Sequence, residues 1–559
     1  MSVSRARAAF RYGDDWWRRG VIYQVYPRSF ADSDGDGTGD LRGIIDHLDY
    51  LGPDGLAVDG LWLSPIYPSP GRDLGYDVSD HAAVDPLMGT EPDFDELVAA
   101  AHARGIRVIL DLVMNHTSDQ HAWFQASRSA RDGPYADWYQ WRDPAGWTSD
   151  GRPIPPNNWV SWFGGPAWTY DPVRGQSYHH TFLREQPDVD WRNPAVEAAQ
   201  WAMVQGWLDR GVDGFRLDTF NVFLKHPDLP DNPVRSGRTA WTRQEHRYDI
   251  SQPDLPELLA RFRALVDRKP GRMSVGELFV GTTEGAAALT HGNHLVFDWE
   301  LLTRPWSADA FRSGLRRRER AFGSDRWPTI VLSNHDQPRH ASRLAATVTV
   351  PGADQDAIAK AAALLALTAR GTPFLYYGEE LGMGDADIPA GESIDAAAEY
   401  HASDHPWWDR SPARTPMPWT GDRQAGFTTG RPWLRVGEDH VTRNVAAQTA
   451  DPQSVLATYR RLLATRRDLE ALQVGELQLV RSGHPAVLGF WRLVRGQPPV
   501  LVMQNFAGDP VSVRVPRTVD GRRVDVTSVA GTHEPVAAVA AGGVLDLRPF
   551  EGVVASGAR

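Results

Sequence analysis

The sequence predicts an α/β protein: a (β/α)8 TIM barrel with an inserted subdomain after strand 3 and a C-terminal antiparallel β domain. Three observations predict it. Short, nearly continuous apolar runs alternate with helical patterns, as in a parallel sheet buried on both faces. There are eight such runs, the number that closes a barrel. Beyond them the texture changes to short β-type runs separated by Gly and Pro. A doubly wound sheet is the structural alternative, but no GxGxxG opens a helix after a strand.

The strand runs are Val21–Tyr26, Gly60–Leu63, Arg107–Val113, Gly214–Asp218, Met273–Glu277, His294–Asp298, Thr329–Ser333 and Pro373–Tyr377. Helical patterns between them include Phe94–Arg104 and Pro194–Arg210, and Gln453–Arg467 reads as the last barrel helix. The stretch Asn115–Trp191 is too long for a bare loop and reads as an inserted subdomain. A second irregular stretch runs from Leu381 to about Asn444. The expected division is residues 1–115 and 191–471 for the barrel, 116–190 for the insertion and 472–559 for the β domain.

Composition narrows the function. The 559 residues carry a formal net charge of −12, the wrong sign for a nucleic-acid binder. The triplet Arg316-Arg317-Arg318 is expected on a solvated helix face. Absence of cysteine excludes disulfides, zinc-thiolate and iron–sulfur sites, and a thiol nucleophile. No run reaches the ~18 apolar residues of a membrane helix, and Met1–Gly20 is studded with Arg and Asp rather than an export signal. The expectation is a cytoplasmic protein with a small-molecule substrate, no nucleic-acid or membrane partner, and a monomeric or small homo-oligomeric state. The 22 tryptophans imply large aromatic surface in a core or a groove.

Barrel enzymes gather their chemistry at the C-terminal ends of the strands. Those ends carry Asp111 with Asn115-His116, then Arg216 with Asp218, then Glu277, then Asn334-His335-Asp336. Arg216 and Asp218 are two apart on a strand and face the same side, so the guanidinium should keep Asp218 ionised. Glu277 has no adjacent cation in sequence and is free to hold a proton. Two carboxyl groups in divergent environments suit the nucleophile and acid of a retaining glycosidase. A metal-dependent hydrolase using His116 and His335 is the rival, but no HxH or HExxH pair supports it. One such residue alone would read as a satisfied core group; the same bias at successive strand ends does not.

Asp32, Asp34, Asp36 and Asp40 alternate with glycines and Thr38, the oxygen-ligand spacing of a calcium loop. The closing bidentate Glu is replaced by Gly43, and a solvated acidic turn is the alternative. A structural Ca2+ or Mg2+ is expected here, and no organic cofactor.

Together these segments resemble the α-amylase family of glycoside hydrolases (family 13), over nearly the whole chain. Asp111-Leu-Val-Met-Asn-His116, Gly214-Phe-Arg-Leu-Asp218, Gly276-Glu277 and Ser333-Asn-His-Asp336 are similar to that family's four motifs, in order. Gln186-Pro-Asp-Val-Asp-Trp191 looks like a further motif in its α-glucosidase and oligo-1,6-glucosidase form. The resemblance implies that Asp218 is the nucleophile, Glu277 the acid/base and Asp336 the third carboxylate that holds the sugar. It implies that His116, Arg216 and His335 bind sugar hydroxyls, and that Asp73 and Tyr76 cap the nonreducing end. Arg414 would pair with Asp73 and close the pocket, while Phe163, Phe182 and Gln186 line it from the insertion. Thr219 follows the nucleophile, where this subgroup has Val for α-1,6 cleavage and Ala or Thr for α-1,4. The stretch Asn221–Pro233 is similar to bacterial α-glucosidases that prefer disaccharides and transfer glucose. The expected activity is a retaining, exo-acting α-glucosidase on α-1,4-linked substrates such as maltose, with transglucosylation. Alternatives are an oligo-1,6-glucosidase, a trehalose synthase or sucrose isomerase, and a non-catalytic sugar-binding scaffold.

Overall fold

The computed structural model describes residues 10–348, 354–389, 391–395, 409–519, 521–534 and 539–557. Its centre is an eight-stranded parallel sheet, each strand fully buried: β1 (Ile22–Val25), β2 (Gly60–Leu63), β3 (Arg107–Leu112), β4 (Gly214–Leu217), β5 (Met273–Gly276), β6 (Leu295–Val296), β7 (Thr329–Val331) and β8 (Thr372–Tyr376). The sheet runs in the spatial order β6-β5-β4-β3-β2-β1-β8-β7. The ring is drawn together between β7 and β6 by side chains. Thr329 Oγ1 accepts from Asp298 N (3.0 Å) and donates to Val296 O (3.3 Å). All eight strands fall on the apolar runs of the sequence.

Period-two geometry sends alternate residues to opposite faces of a strand. On β3, Ile109 packs inside the barrel with Ile22, Trp62, Val275, Leu295, Val331 and Phe374, while Val108, Leu110 and Leu112 face the helices. Asp111 shares the parity of Ile109 and so points inward at the barrel mouth. The same parity turns Arg216 and Asp218 inward from β4, between the outward Phe215 and Leu217. Register sets Asp111 opposite Arg216, and Val275 opposite Arg216 from the other side. Gly276 is required by close packing: a Cβ there would lie 2.4 Å from Phe220 Cε1.

Helices Glu91–Ala103, Pro194–Asp209, Leu255–Val266, Ala308–Phe322 and Val455–Asp468 surround the sheet. The first starts with Pro92 and a Thr90/Asp93 capping box. Helix Gln355–Thr368 is buried on nearly every side, because it lies between the barrel and the C-terminal sheet. That placement accounts for its apolar run. No helix among the described residues is long and apolar enough to cross a membrane.

Between β3 and β4 lie a helix (Ala122–Ser129), a three-stranded antiparallel sheet (Trp141–Arg142, Trp168–Asp171, Gln176–His179) and a small hairpin (Gly146–Trp147 with Pro153–Ile154). Of its tryptophans, Trp141, Trp159, Trp168 and Trp191 are buried core, while Trp147 is exposed. The C-terminal part is a five-stranded antiparallel sheet with an additional strand pair, Val511–Arg514 and Val544–Leu547, packed on it. Its first strand begins at Glu476, after the short helix Glu470–Val474. Arg492, fully buried, ties the sheet to the barrel by donating to Ala369 O (2.8 Å) and Gly475 O (2.9 Å).

The triplet Arg316-Arg317-Arg318 departs from the solvated face expected of it. Arg318 is 1% exposed and donates from Nε to Asp298 Oδ2 (2.6 Å) and from Nη2 to Thr329 O, bracing the β6–β7 seam. Arg317 is exposed and pairs with Glu284 (2.9 Å). Arg318 was misplaced because helix Ala308–Phe322 turns this one position of three toward the barrel.

Candidate active site

The mouth of the barrel is organised around the guanidinium of Arg216, 1% exposed. Nη1 donates to Asp111 Oδ1 (2.7 Å) and Asp218 Oδ1 (2.8 Å), and Nη2 donates to Glu277 Oε2. Trp62 and Tyr76 flank it, with ring centroids 5.4 and 5.8 Å from its carbon. The cation that Glu277 lacks in sequence thus reaches it through the β4–β5 register. Burial pushes Glu277 up, and although Arg216 opposes this, the charges of Asp218, Asp336 and Asp111 add to it, raising the group to about 8. Burial likewise raises Asp111 to about 7 despite Arg216. One guanidinium cannot neutralise three carboxyl groups, and Asp111 and Glu277 are the two held above their usual range.

Asp218 lies at the end of β4, with Thr219 Oγ1 donating to its Oδ2 (3.1 Å). Thr219 adopts a left-handed backbone (φ 36°), unusual for a β-branched residue and typical of a strained functional turn.

Asp336 belongs to a second cluster. Its Oδ1 accepts from Arg414 Nη2 (2.9 Å) and Arg410 Nη1 (3.3 Å), and its Oδ2 lies 3.1 Å from His335 Nε2. Burial alone would raise its pKa, but His335 and the two arginines outweigh burial and hold it well below the usual carboxylate range. The same burial, reinforced by Arg414 and Arg216, keeps His335 neutral. Gln24 Nε2 donates to His335 Nδ1 (2.8 Å), leaving the proton on Nε2, which faces Tyr76 OH (2.5 Å) and Asp336. Tyr76 OH in turn reaches Asp111 Oδ2 (3.1 Å), linking the two clusters.

One end is closed by Asp73, and here the expected pairing is corrected. Arg410, not Arg414, meets Asp73, with Nη2 2.6 Å from Oδ1. Arg414 instead donates from Nε to His335 O (2.7 Å) and from Nη2 to Asp336. The turn Ser411–Arg414 separates the two arginines and sends them to different carboxylates, which sequence cannot rank. Asp395 was also missed. It grips Arg410 bidentately, Nε to Oδ2 and Nη2 to Oδ1 (both 2.7 Å), and accepts the Arg410 backbone N–H (2.8 Å). Nothing in its local sequence marks it.

The insertion supplies the remaining wall. Gln186 Nε2 donates to Asp73 Oδ2 (3.0 Å) and lies 3.1 Å from His116 Nε2. Phe182 packs edge-on to His116 (5.3 Å) and Phe279 (5.4 Å), and Phe163 lies 6.1 Å from Phe182. Phe279, two residues after Glu277, joins Trp162 and Trp241 in an aromatic rim that sequence reasoning did not single out. Asp231 and Asn232 brace this side, accepting from Asn158 N (2.9 Å) and from Arg247 and Tyr248 N (3.1 Å each). In the second irregular stretch, Trp407 and Trp408 lie outside the described residues, Trp419 is buried core and Trp433 packs on Tyr26 (6.0 Å).

The acidic loop lies apart from this pocket. Carboxylate oxygens of Asp32, Asp34 and Asp40 fall within 4.8 Å of one another, an oxygen-rich set suited to a hard cation. Asp36 is not in that group; its Oδ1 accepts from Thr38 N (2.7 Å). The loop is pressed onto the segment after β8: Trp433 N donates to Gly37 O (2.9 Å), and a Cβ on Gly37 would lie 1.9 Å from Arg431 O.

Residues 24–475 match the family model described as "Alpha amylase, catalytic domain". The chain belongs to the α-amylase family. It is 42% identical over 519 residues to a probable alpha-glucosidase of Rhizobium meliloti, covering 90% of this chain and 91% of the relative. It is 37% identical to an oligo-1,6-glucosidase of Heyndrickxia coagulans, covering 90% and 94%. A solved alpha-glucosyl transfer enzyme, XgtA, superposes with a TM-score of 0.88 at 40% identity, covering 97% of this chain and 99% of that one. This α-amylase-family protein is therefore a glycoside hydrolase of α-glucosidase type, and glycosides are its substrates.

Removing the clamp on Arg410 tests the closed end. Asp395→Asn should raise KM for 4-nitrophenyl α-glucoside about tenfold, about 1.4 kcal/mol of binding, with a smaller change in kcat. Steady-state kinetics will measure the split; an unchanged KM would show that Arg410 holds its place without Asp395.

Proposed function

We propose that the chain is a retaining, exo-acting α-glucosidase. It releases α-glucose from the nonreducing end of short α-1,4-linked glucosides such as maltose, and passes glucose to other hydroxyl acceptors as well as to water. The observation that carries this reading is the single guanidinium of Arg216 contacting both Asp218 and Glu277. That span is compatible with the roughly 5 Å carboxyl separation of retaining enzymes, and Glu277 holds a proton at neutral pH.

In this mechanism the protonated Glu277 gives its proton to the glycosidic oxygen while a carboxylate oxygen of Asp218 attacks the anomeric carbon. The C–O bond to the aglycone breaks, and glucose becomes esterified to Asp218. Glu277, now ionised, takes a proton from water or from an acceptor hydroxyl, which attacks the same carbon and frees Asp218. Asp336, kept anionic by Arg414 and Arg410, the neutral His335, and also His116 hold the hydroxyls of the reacting sugar. Arg216 orients both reacting carboxyls, and Asp73 with Arg410, Gln186 and Tyr76 caps the nonreducing end. Phe163 and Phe182 pack against the apolar face of the sugar. Arg414 acts through Asp336 rather than on Asp73.

A raised acid loses its proton as pH rises through its pKa. The alkaline limb of kcat/KM should therefore lie near pH 8, shared with the coupled Asp111. Glu277→Gln should abolish that limb and spare substrates with activated leaving groups, and Asp218→Asn should cut kcat by about 10^4 or more with an unchanged unfolding profile. Retention of wild-type turnover by Asp218→Asn would reassign the nucleophile.

Linkage preference is read from Thr219, which stands after the nucleophile where the subgroup this chain resembles has Ala or Thr for α-1,4 cleavage, and whose hydroxyl donates to Asp218 Oδ2. Maltose should be cleaved with higher kcat/KM than isomaltose, and Thr219→Val should shift the ratio toward isomaltose. Chromatography of products from concentrated maltose should reveal glucosyl-transfer oligosaccharides. Faster isomaltose cleavage would favour the oligo-1,6-glucosidase reading carried by the names of several relatives.

Asp32, Asp34 and Asp40 would hold a structural Ca2+ or Mg2+, with Asp36 and the Thr38 carbonyl completing the shell from the same loop. The ion would offset the repulsion of the clustered acids and stiffen the contact with Arg431 and Trp433. Chelator treatment should lower Tm by several degrees, with recovery on adding Ca2+ or Mg2+, and Asp34→Ala should remove that dependence. Identical melting with and without chelator would leave the loop as a solvated turn.

A further inference from the structure

Helix Ala308–Phe322 and the turn after strand Glu476–Val480 enclose a cavity of about 320 Å3 at the junction of barrel and C-terminal sheet. Arg312, Arg316, Arg481, Ser482 and His484 supply its polar lining, and no acidic residue lines it. Arg312 and Arg316 lie one helical turn apart, where like charges repel by about 0.2–0.5 kcal/mol, and Arg481 adds a third cation from the opposite wall. Their neighbours Arg317 and Arg318 are paired with Glu284 and Asp298. Arg312 is anchored by Asp309 Oδ1 (3.2 Å) and Val487 O (2.9 Å). Neither Arg316 nor Arg481 has an ion-pair partner among the described residues.

The turn itself is ordered for donation. Ser482 Oγ donates to Val487 O (2.7 Å), fixing the loop. His484 Nδ1 accepts from Ala486 N (3.2 Å), so the neutral ring carries its proton on Nε2. Gly483, with φ 77°, has no heavy atom within 4 Å of a Cβ position, leaving the mouth open. Arg316 and Arg481, without ion-pair partners, line the cavity beside Arg312 and His484, and no acidic residue lines it, in a chain whose net charge is −12. Planar guanidinium donors suit the oxygens of a phosphate group, and the volume lies at the small-ligand end of binding pockets.

We propose that this cavity is a binding site for a phosphate-bearing small molecule, held chiefly by Arg316 and Arg481 and separate from the glucoside pocket. Calorimetric titration of the full chain with inorganic phosphate and with glucose 6-phosphate tests it. Saturable binding is expected, weakened at least about tenfold in Arg316→Gln/Arg481→Gln and also in Gly483→Asp, which leaves the arginines in place and adds a charge at the mouth. Hydrolysis of 4-nitrophenyl α-glucoside should be unchanged in both variants, reporting an intact fold. Tighter binding of glucose 6-phosphate identifies a sugar phosphate as the source, and equal affinities identify the free anion; both support the site. Equal binding by variants and wild type, no saturable binding of either probe, or displacement of the probe by excess glucose would overturn it.

Discussion

The burial of one guanidinium among three carboxyl groups governs this molecule. Arg216 comes from the interior face of β4, where water cannot screen it, and Asp111, Asp218 and Glu277 arrive from three adjacent strands. Breaking such a buried network costs several kcal/mol because the charges left behind have no solvent. The parallel register, the inward parity of each strand and the approach of Gly276 to Phe220 must all be kept for the cluster to form. Three carboxyl groups against one guanidinium leave the cluster two positive charges short, and burial with mutual repulsion raises Asp111 and Glu277 above their usual values. The raised carboxyls of Asp111 and Glu277 are thus consequences of that electrostatic shortage.

Around that centre the insertion and the segment after β8 bring further charged and aromatic side chains to the strand ends. Asp395, Arg410 and Asp73 form a line of alternating charge, anchored deep and ending at the pocket. Arg414 forms a parallel support for Asp336 and His335. Two arginines from one short turn therefore serve two carboxylates, Arg410 meeting Asp73 and Arg414 meeting Asp336. The insertion then covers the strand ends with aromatic side chains, with Trp159 and Trp168 forming a small core of their own.

Much of this was legible in the residues. All eight barrel strands were readable because a doubly covered parallel strand must be apolar along its length. Asp111, Arg216, Asp218, Glu277 and Asp336 were readable because polar residues ending such strands have no packing reason to be there. Long-range pairings were less accessible. Arg410 and Arg414 are four apart and alike, so their choice of partner depends on the path of a turn. Asp395 sits in an unremarkable loop, and its importance comes from a guanidinium fifteen positions away. Arg318 looked like its two exposed neighbours, and only the helix's rotation against β6 and β7 buries it.

Sequence alone determined the fold class, the family and the set of groups facing the barrel mouth, since these depend on local periodicity and on motifs a few residues long. Tertiary structure decided which cation meets which anion, that Glu277 shares Arg216 with Asp218, and that a basic cavity lies between helix and β domain. Those outcomes rest on Coulomb interactions that fall with distance and strengthen with burial, and neither quantity is written in the order of residues.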